Sequence, residues 1–469
     1  MTRHPLLHSA RRIAPLAWPV FIGQVAVLAF GTVDTVMIAR YSATDLAALA
    51  VGGAVYITAF VGLMGAVLAI GPIAGQLFGA RRLHEAGAQL HQAVWLALGL
   101  SLLGCTVLLF PQPFLDIARA PPEVAEKIRH YLLALAFALP PALVFTAFRG
   151  FNNAVSRPKA VMALQLIGLV LKVPLNTLLI YGADAGPLHV PAFGAPGCGI
   201  ATAISMWLQL AAAWALLRRD PFYASFALHA ARLDPPHRPS LKEMLRLGIP
   251  MGLSILVEIT GFTFMAIFIS RIGPTPVAGH QLAANLVSMM FMMPLAIGNA
   301  SATLVAQSIG ADDAAGARRL GWHGLQIGLL VAAVMGTLVY LLREQVLRAY
   351  THDPLIIAAA MPLLAWVVVF HIADAGQTVA SFVLRAYRVA SVPLVIYAVA
   401  LWGVGLGGGW VVAFNLTGLT PAVLQGASGF WSASTAGLSL SAVGMSAFLA
   451  WMLRMPRRSG FQAEATSGS

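Results

Sequence analysis

Twelve long apolar segments decide what this chain can fold into. They cover residues 13–39, 46–78, 88–110, 131–151, 160–181, 197–217, 245–271, 277–309, 321–342, 357–385, 391–414 and 433–453. Each can cross the roughly 30 Å hydrocarbon core of a bilayer as a helix that rises 1.5 Å per residue. Only 10% of the residues are charged and 59% are hydrophobic, whereas soluble domains carry about 25% charged residues. The sequence therefore predicts an all-α integral membrane protein with twelve transmembrane helices.

The lysines and arginines are distributed unevenly among the segments that join these spans. With the N-terminus in the cytoplasm, the cytoplasmic segments carry 21 of the 29 basic residues, the outer segments carry 7, and Lys172 lies within a span. Cytoplasmic loops of membrane proteins are enriched in this way. We therefore expect a multi-pass protein of the bacterial inner membrane with both termini cytoplasmic. Because topology accounts for the net charge of +12, no nucleic-acid partner is expected.

The two halves of the chain are related by an internal repeat. Shifting residues 19–80 by 231 positions aligns Pro19 with Pro250, Arg40 with Arg271, Phe60 with Phe291, Gln76 with Gln307 and Gly79-Ala80 with Gly310-Ala311. Each half holds six spans, so the repeats are parallel, and such repeats build transporters with a central site between two bundles. The predicted units are an N-terminal six-helix lobe (1–220), a cytoplasmic linker (221–244), a C-terminal six-helix lobe (245–455) and a polar tail (456–469).

Three acidic residues lie inside spans: Asp34, Glu258 and Asp374. A carboxylate near the middle of a bilayer costs roughly 2.5–3.5 kcal/mol and normally faces a partner or a water-filled cavity. Helical rise places Glu258 about 20 Å and Asp374 about 25 Å below the outer ends of their spans, so the two could meet. Lys172 in span five could reach Asp34. Each acid is either an ion or proton site or a structural group bonded to a neighbouring helix.

Short motifs on these spans resemble those of the multidrug and toxic compound extrusion (MATE) family, in particular its NorM-type bacterial branch. The resemblance covers essentially the whole chain, and the motifs occur in order on the expected spans. They are Phe30-Gly31-Thr32-Val33-Asp34-Thr35-Val36-Met37, Gln76-Leu77-Phe78-Gly79-Ala80, Pro174-Leu175-Asn176, Gly197-Cys198-Gly199-Ile200-Ala201-Thr202-Ala203, Ala278-Gly279-His280-Gln281 and Asp374-Ala375.

The resemblance implies a cation-coupled antiporter, not an enzyme, that exports organic and mostly cationic compounds by alternating access between two V-shaped lobes. It places Asp34 with Asn176 and Thr202 in a first-lobe ion or proton site, and Glu258 with Asp374 in a second-lobe cation site. Lys172 and Gln281 join these residues as supporting residues. It implies no cofactor, a proton or sodium as coupling ion, and no metal site beyond a transient sodium site. The expected partners are small organic cations and the bilayer, and we expect a monomer.

Two positions depart from the family pattern and weaken a sodium site. Lys172 stands where relatives often carry an asparagine, and Phe370 where some carry a tyrosine. The lysine could form a built-in ion pair with Asp34 in the place of sodium, which would stabilise the ionised carboxylate. Alternatively, Lys172 bonds backbone carbonyl groups beside Pro174.

Two arginines and two histidines in or near the spans are expected to have structural roles. Arg149 and Arg385, which correspond in the two halves, are predicted to be headgroup anchors at cytoplasmic span ends. His280 and His371 are interpreted as members of interhelical hydrogen bonds rather than as proton relays.

The rival function is a lipid-linked oligosaccharide flippase of the same superfamily. Such proteins tend to have extra spans and a cationic cavity, and twelve spans without an intramembrane arginine disfavour that function.

Overall fold

The chain forms a bundle of long helices in a computed structural model that describes residues 5–118, 121–185, 188–229 and 232–454. Within these residues, twelve helical segments are long and apolar enough to cross a membrane, which confirms the predicted number. The all-α fold class is also confirmed. Its one addition among the described residues is a short antiparallel hairpin, in which Ala183 pairs with Val190.

The first lobe contains eight helices and the hairpin. Their bounds are α1 Pro5–Tyr41, α2 Ala43–Val67, α3 Ile70–Gly79, α4 Leu83–Leu109, α5 Gln112–Ala118, α6 Pro122–Ala154, α7 Pro158–Tyr181, β1 Ala183–Ala185, β2 Leu188–Val190 and α8 Ala195–Arg219. The sharp turn from α1 to α2 is stabilised by Ser42, whose hydroxyl oxygen accepts a hydrogen bond from the backbone N–H of Asp45 at 3.3 Å. Such an N-cap satisfies one of the free N–H groups at a helix start. The second predicted span is divided between two helices, because α2 ends at Val67 and α3 begins at Ile70.

The second lobe contains the remaining helices. Their bounds are α9 Arg238–Ser270, α10 Pro274–Gly310, α11 Ala314–Leu341, α12 Arg343–Tyr350, α13 Pro354–Leu364, α14 Val367–Ala386, α15 Ser391–Tyr397, α16 Gly409–Ala413 and α17 Ala427–Arg454. Between α15 and α16 the chain continues as a π-helix over Ala398–Gly408. The tenth predicted span divides into α13 and α14, because Pro362 lies in the last turn of α13 and interior prolines interrupt helical hydrogen bonding.

The linker between the lobes is shorter than expected. It starts with a 3₁₀-helix, Pro221–Phe226, and α9 begins at Arg238, so residues 238–244 of the predicted linker are helical. An ion pair between Arg157 and Asp220, 2.5 Å apart, holds the start of the linker against the end of α6 and the start of α7. The predicted polar tail, 456–469, lies outside the described residues.

The two lobes contact each other through a reciprocal pair of glutamines near the linker. Gln76 of α3 donates a hydrogen bond to the carbonyl oxygen of Ala386 at 2.9 Å, and its repeat partner Gln307 of α10 donates to that of Ala154 at 2.8 Å. Gly79 permits the close approach, because a Cβ atom there would lie 1.9 Å from the carbonyl oxygen of Gln307. The stacked rings of Phe78 and the linker residue Phe226 show that this contact lies at the linker end of the bundle.

The first helix of each lobe also packs on the other lobe. Ile13 and Ala17 of α1 belong to a hydrophobic core of the second lobe, whereas Met244 and Met251 of α9 belong to the core of the first lobe. Elsewhere, large apolar side chains are exposed on the outer surface, including Leu102 at 73%. A surface of this kind suits contact with lipid chains.

Candidate functional site

Asp34 lies in a buried cluster where α1 meets α7. The ammonium nitrogen of Lys172 is 3.1 Å from Oδ1 of Asp34, and the side-chain amide of Asn176 donates a hydrogen bond to the same oxygen at 2.7 Å. Lys172 and Asn176 are one turn apart on α7, so their side chains share a face. Lys172 is completely buried and Asp34 is 7% exposed. The ion pair allowed by the sequence is therefore present.

Lys172 also bonds to α8. Its ammonium group donates to the hydroxyl of Thr202 and, at 3.3 Å, to the carbonyl oxygen of Cys198. The ring of Phe30 lies 4.5 Å from the ammonium nitrogen. The ion-pair interpretation of Lys172 therefore holds, whereas the carbonyl that it bonds belongs to α8 and not to the chain beside Pro174. All three N–H groups of a lysine have oxygen partners here, and the ammonium group occupies the place where a bound cation would contact Asp34.

Glu258 and Asp374 are linked by a residue that the sequence reasoning missed. Gln377 of α14 donates hydrogen bonds to Oδ1 of Asp374 at 3.0 Å and to Oε1 of Glu258 at 3.4 Å. Ser441 of α17 in turn donates to the amide oxygen of Gln377 at 3.2 Å. Gln377 lies one turn after Asp374 on the same helix face, and this spacing was the only signal in the sequence.

No basic side chain of the described residues is in direct contact with this second cluster, although Arg385 lines the same cavity as Glu258. Among the residues that the structure describes, no lysine, arginine or histidine nitrogen lies within 4.0 Å of a carboxylate oxygen of Glu258 or Asp374. Asp374 is buried and Glu258 is partly buried. Phe370, one turn before Asp374, packs on the rings of Phe262 and Trp431 and offers no oxygen atom. The acids of the two lobes therefore differ in their partners. Asp34 forms an ion pair, whereas Glu258 and Asp374 are joined through the amide of Gln377.

Glu258 also lines a cavity that both lobes enclose. Its volume is about 430 Å³, within the range of about 300–1,000 Å³ typical of small-molecule sites. Phe60 from the first lobe and its repeat partner Phe291 from the second contribute aromatic rings to its walls. The cavity thus combines apolar walls with a carboxylate connected to a second, buried acid.

The prediction for Arg149 and Arg385 was wrong. Both lie inside membrane-spanning helices and line this same cavity, and Arg385 is only 7% exposed. Helical rise correctly placed them near the linker ends of α6 and α14, but the opposite lobe covers those ends.

Of the three remaining candidate residues, one makes the contact expected from the sequence and two do not. Gln281 is exposed on α10 and belongs to neither acidic cluster. His280 accepts a hydrogen bond at Nδ1 from the indole N–H of Trp431 at 3.1 Å, as interpreted. His371 is buried, but within the described part of the chain neither of its ring nitrogens has a hydrogen-bond partner, so its interpretation was wrong.

Both halves of the chain match the same family. A sequence model of the MatE family matches residues 19–178 and again residues 250–411. The chain belongs to the MATE family. The two matches fall in the two lobes and reproduce the repeat that the sequence showed. The first match includes Asp34 of the first acidic cluster, and the second includes Glu258 of the second cluster.

Relatives of this MATE chain are similar over nearly their whole length. A probable multidrug resistance protein NorM of Aromatoleum aromaticum is 40% identical, over 96% of this chain and 95% of the relative. The multidrug resistance protein NorM of Vibrio cholerae is 34% identical, over 96% of this chain and 97% of the relative.

Solved structures show the same fold. The eukaryotic MATE transporter AtDTX14 superimposes with a TM-score of 0.84 at 16% identity, covering 95% of this chain and 96% of that chain. The Vibrio cholerae MATE transporter VcmN in the bent form gives 0.82 at 18% identity, covering 96% and 98%. The predicted two-lobe architecture is confirmed.

Proposed function

We propose that this chain is a proton-coupled antiporter that exports organic cations and drugs across the bacterial inner membrane, with both termini in the cytoplasm. Its full-length relatives are named multidrug resistance proteins, which supports multidrug efflux as the activity. The reciprocal contact of the lobes near the linker, with a cavity enclosed between them, supports alternating access, in which the lobes separate at one end and close at the other.

One observation carries the proposal: Glu258 faces the inter-lobe cavity and is connected through Gln377 to the buried Asp374. An ionised Glu258 would attract a cationic compound into the cavity. Protonation of this pair of acids would neutralise them and release the compound, so proton and cation would compete for the same negative charge. Competition of this kind couples the two fluxes, because each ligand favours a different state of the protein.

The donor groups around this pair favour a proton over sodium. Sodium, like other hard cations, binds to oxygen ligands. The group that lies between Glu258 and Asp374 is the amide N–H of Gln377, and Phe370 supplies a ring where an oxygen would be needed. In the first lobe, Lys172 already neutralises Asp34. We therefore propose that Asp34 sets the structure of its lobe, while Glu258 and Asp374 exchange the coupling proton.

The test is efflux of a fluorescent lipophilic cation from proteoliposomes, driven by a pH gradient or by a sodium gradient. The unaltered protein should respond to the pH gradient alone, and Glu258→Gln and Asp374→Asn should each abolish that response. Lys172→Asn should add a response to sodium, whereas Lys127→Asn, which alters a different ion pair with Asp45, should not.

Two outcomes would overturn this proposal. Sodium-driven efflux by the unaltered protein would show that the acids bind a metal cation despite the N–H donor between them. If neither gradient drove efflux of any organic cation, the antiporter proposal would fail, and a flippase acting on lipid-linked substrates would become the better explanation.

A further inference from the structure

Two consecutive prolines interrupt the backbone hydrogen bonding of α6 near the middle of the helix. Pro140 and Pro141 both lie inside α6, and a proline has no N–H group to donate to the carbonyl group four residues earlier. The carbonyl groups of Ala136 and Phe137 therefore have no backbone donor within the helix. In a membrane-spanning helix such groups need another partner, because no water reaches them in the hydrocarbon core.

Side chains from two neighbouring helices bind these two carbonyl groups. The indole N–H of Trp207 on α8 donates a hydrogen bond to the carbonyl oxygen of Phe137 at 3.1 Å. The thiol of Cys105 on α4 donates to the carbonyl oxygen of Ala136 at 3.2 Å. Each proline is thus matched by one side-chain donor. Because these bonds replace bonds within α6, they connect the bend of that helix to α4 and α8.

The position of Trp207 is unusual for a tryptophan in a membrane-spanning helix. Membrane tryptophans are enriched at the two interfaces with water, but Trp207 lies midway along α8 and is 52% exposed on the outer surface of the first lobe. It borders an apolar groove between α6 and α8, together with Phe137 and Ile204. An indole N–H in such surroundings needs an acceptor, and the carbonyl group of Phe137 supplies it. Packing against lipid alone would not require an N–H group here.

The half of α6 that follows the prolines carries the carbonyl group that meets the second lobe. The carbonyl oxygen of Ala154, at the end of α6, accepts the hydrogen bond from Gln307 at 2.8 Å. The bend sets the direction of this half and therefore the position of that oxygen. In the second lobe the corresponding chain is interrupted outright between α13 and α14, before α14 offers the carbonyl oxygen of Ala386 to Gln76. Both helices that accept these hydrogen bonds are thus redirected before they reach the lobe contact.

We propose that Trp207, together with Cys105, is a positioning residue that fixes the bend of α6 and thereby stabilises the state in which the lobes are closed at the linker end. This inference rests on the alternating access of the proposed function, because it gives these residues an effect on the balance between the two access states. Among the described residues, Trp207 lies outside the lining of the inter-lobe cavity. Its effect therefore passes through α6 and not through contact with an exported compound.

The experiment measures the separation of the lobes at the linker end by double electron–electron resonance on the full-length protein in lipid nanodiscs. Spin labels are attached to His84→Cys and Ala315→Cys, two exposed repeat partners at the starts of α4 and α11. The background is Cys105→Ser with Cys198→Ala, in which serine keeps a donor on α4. Trp207→Phe removes the N–H group and keeps an aromatic ring. It should raise the ratio of separated to closed ends by about fivefold, the effect of one typical hydrogen bond.

A helix without the two prolines shows whether the hydrogen bond is the cause. In the variant Pro140→Ala with Pro141→Ala, α6 regains two N–H groups, so its carbonyl groups no longer depend on side chains. Trp207→Phe should then have no further effect on the ratio. Trp214→Phe is the matched control, because it alters another exposed tryptophan of α8, whose ring lies against Arg218. It should leave the ratio unchanged.

Cys105→Ala, compared with Cys105→Ser, is the second variant and carries the test if Trp207→Phe does not fold. It removes the donor to the carbonyl group of Ala136 and should shift the ratio in the same direction.

Three results would overturn the inference. Trp207→Phe and Cys105→Ala could leave the ratio unchanged. Trp207→Phe could shift it equally with and without the prolines, which would show that the ring acts through packing. Trp214→Phe could shift it as much as Trp207→Phe, which would show a general effect of lipid-facing tryptophans. Because the distances are measured without a gradient or an exported compound, the effect of Trp207 can be established even if no organic cation is exported, which would refute only the proposed antiport.

Discussion

Replacing Lys172 with methionine tests the first-lobe cluster most directly. Methionine is similar in length to lysine but carries no charge, so Lys172→Met removes the ammonium group from Asp34, Thr202 and Cys198 while filling most of the same space. Asp34 would keep only its hydrogen bond from Asn176. Removing one partner of a buried ion pair typically costs about 3–5 kcal/mol, because the other charge remains buried without compensation. We expect a destabilisation of this size.

Sodium should recover part of the lost stability. The methionine variant leaves a carboxylate, a threonine hydroxyl and a backbone carbonyl around a space that the ammonium group had filled, and these are oxygen ligands for a hard cation. A site with a dissociation constant of about 10 mM would gain about 1.6 kcal/mol in about 150 mM sodium chloride. Choline chloride at the same concentration should have no such effect, because choline is too large to replace a lysine ammonium group.

Thermal unfolding in detergent, followed with a thiol-reactive dye, gives the measurement. In a Cys105→Ser background, which removes the other free cysteine, the thiol of Cys198 is completely buried beside Lys172 and reacts when this part of the bundle opens. The double variant Lys172→Met with Asp34→Asn removes both charges and should be more stable than Lys172→Met alone. Lys127→Met is the matched control: its partner Asp45 is buried, but Lys127 is about one-third exposed, so a smaller and sodium-independent loss is expected.

The reasoning would be refuted by either of two results. If Lys172→Met melted at the same temperature as the unaltered protein, the ion pair would contribute nothing to stability. If the double variant were no more stable than the single one, the loss would come from packing around the methionine and not from an uncompensated charge on Asp34.

Three further predictions concern other parts of the molecule. Gln377→Leu, which removes the donor between the two second-lobe acids, should cost about 1–3 kcal/mol of stability and reduce pH-driven efflux. Gln76→Leu and Gln307→Leu should each weaken the contact between the lobes, seen as faster labelling of a cysteine placed beside it by a membrane-impermeant thiol reagent. The backbone N–H of Phe222 and the paired arginine hold the pKa of Asp220 below its usual value. Asp220→Asn should therefore lower the melting temperature at neutral pH, and this difference should shrink as the pH falls below about 4, where an unpaired aspartate becomes protonated.

Each of these predictions has a clear contrary result. Unchanged efflux by Gln377→Leu would show that the two acids act independently. Unchanged labelling in both glutamine variants of the lobe contact would show that glycine packing alone holds it closed. A melting difference for Asp220→Asn that persisted at acidic pH would show that the aspartate acts through packing and not through its charge.

The twelve spans and the repeat could be predicted because they depend on properties that the sequence shows directly. Span length follows from composition and helical rise, and the repeat follows from residues spaced 231 positions apart. Asp34, Glu258 and Asp374 stood out because a charge in an apolar segment is rare. The ion pair of Lys172 could be anticipated as well, since a buried ammonium group needs an anion and Asp34 lay at a compatible depth.

The residues that were missed or misplaced depend on packing between helices. Gln377 is uncharged, and nothing in an isolated sequence distinguishes an amide between two acids from an amide facing a neighbouring helix. Gln281 belongs to a motif, but helical periodicity alone did not show that its face of α10 is exposed. Arg149 lies near the end of a span, where an arginine normally reaches lipid headgroups. Only the position of the other lobe shows that it faces a cavity.

Residues at the contact between the two lobes occur in corresponding pairs, whereas the buried acidic residues do not. The features that repeat are the glutamines that bond across the lobe contact, the glycines that allow it, the aromatic residues of the cavity walls and the two arginines. Each of these faces the other lobe, and a pseudo-twofold axis requires that such contacts occur in pairs. The acidic clusters do not repeat, although Glu258 also lines the cavity that both lobes enclose. In one lobe a lysine fixes the charge of Asp34, and in the other an amide leaves the charges of Glu258 and Asp374 free to be neutralised from the cavity. A protein that must bind an ion and release it in one cycle needs only one such site, and under the proposed function this asymmetry favours the second lobe as its location.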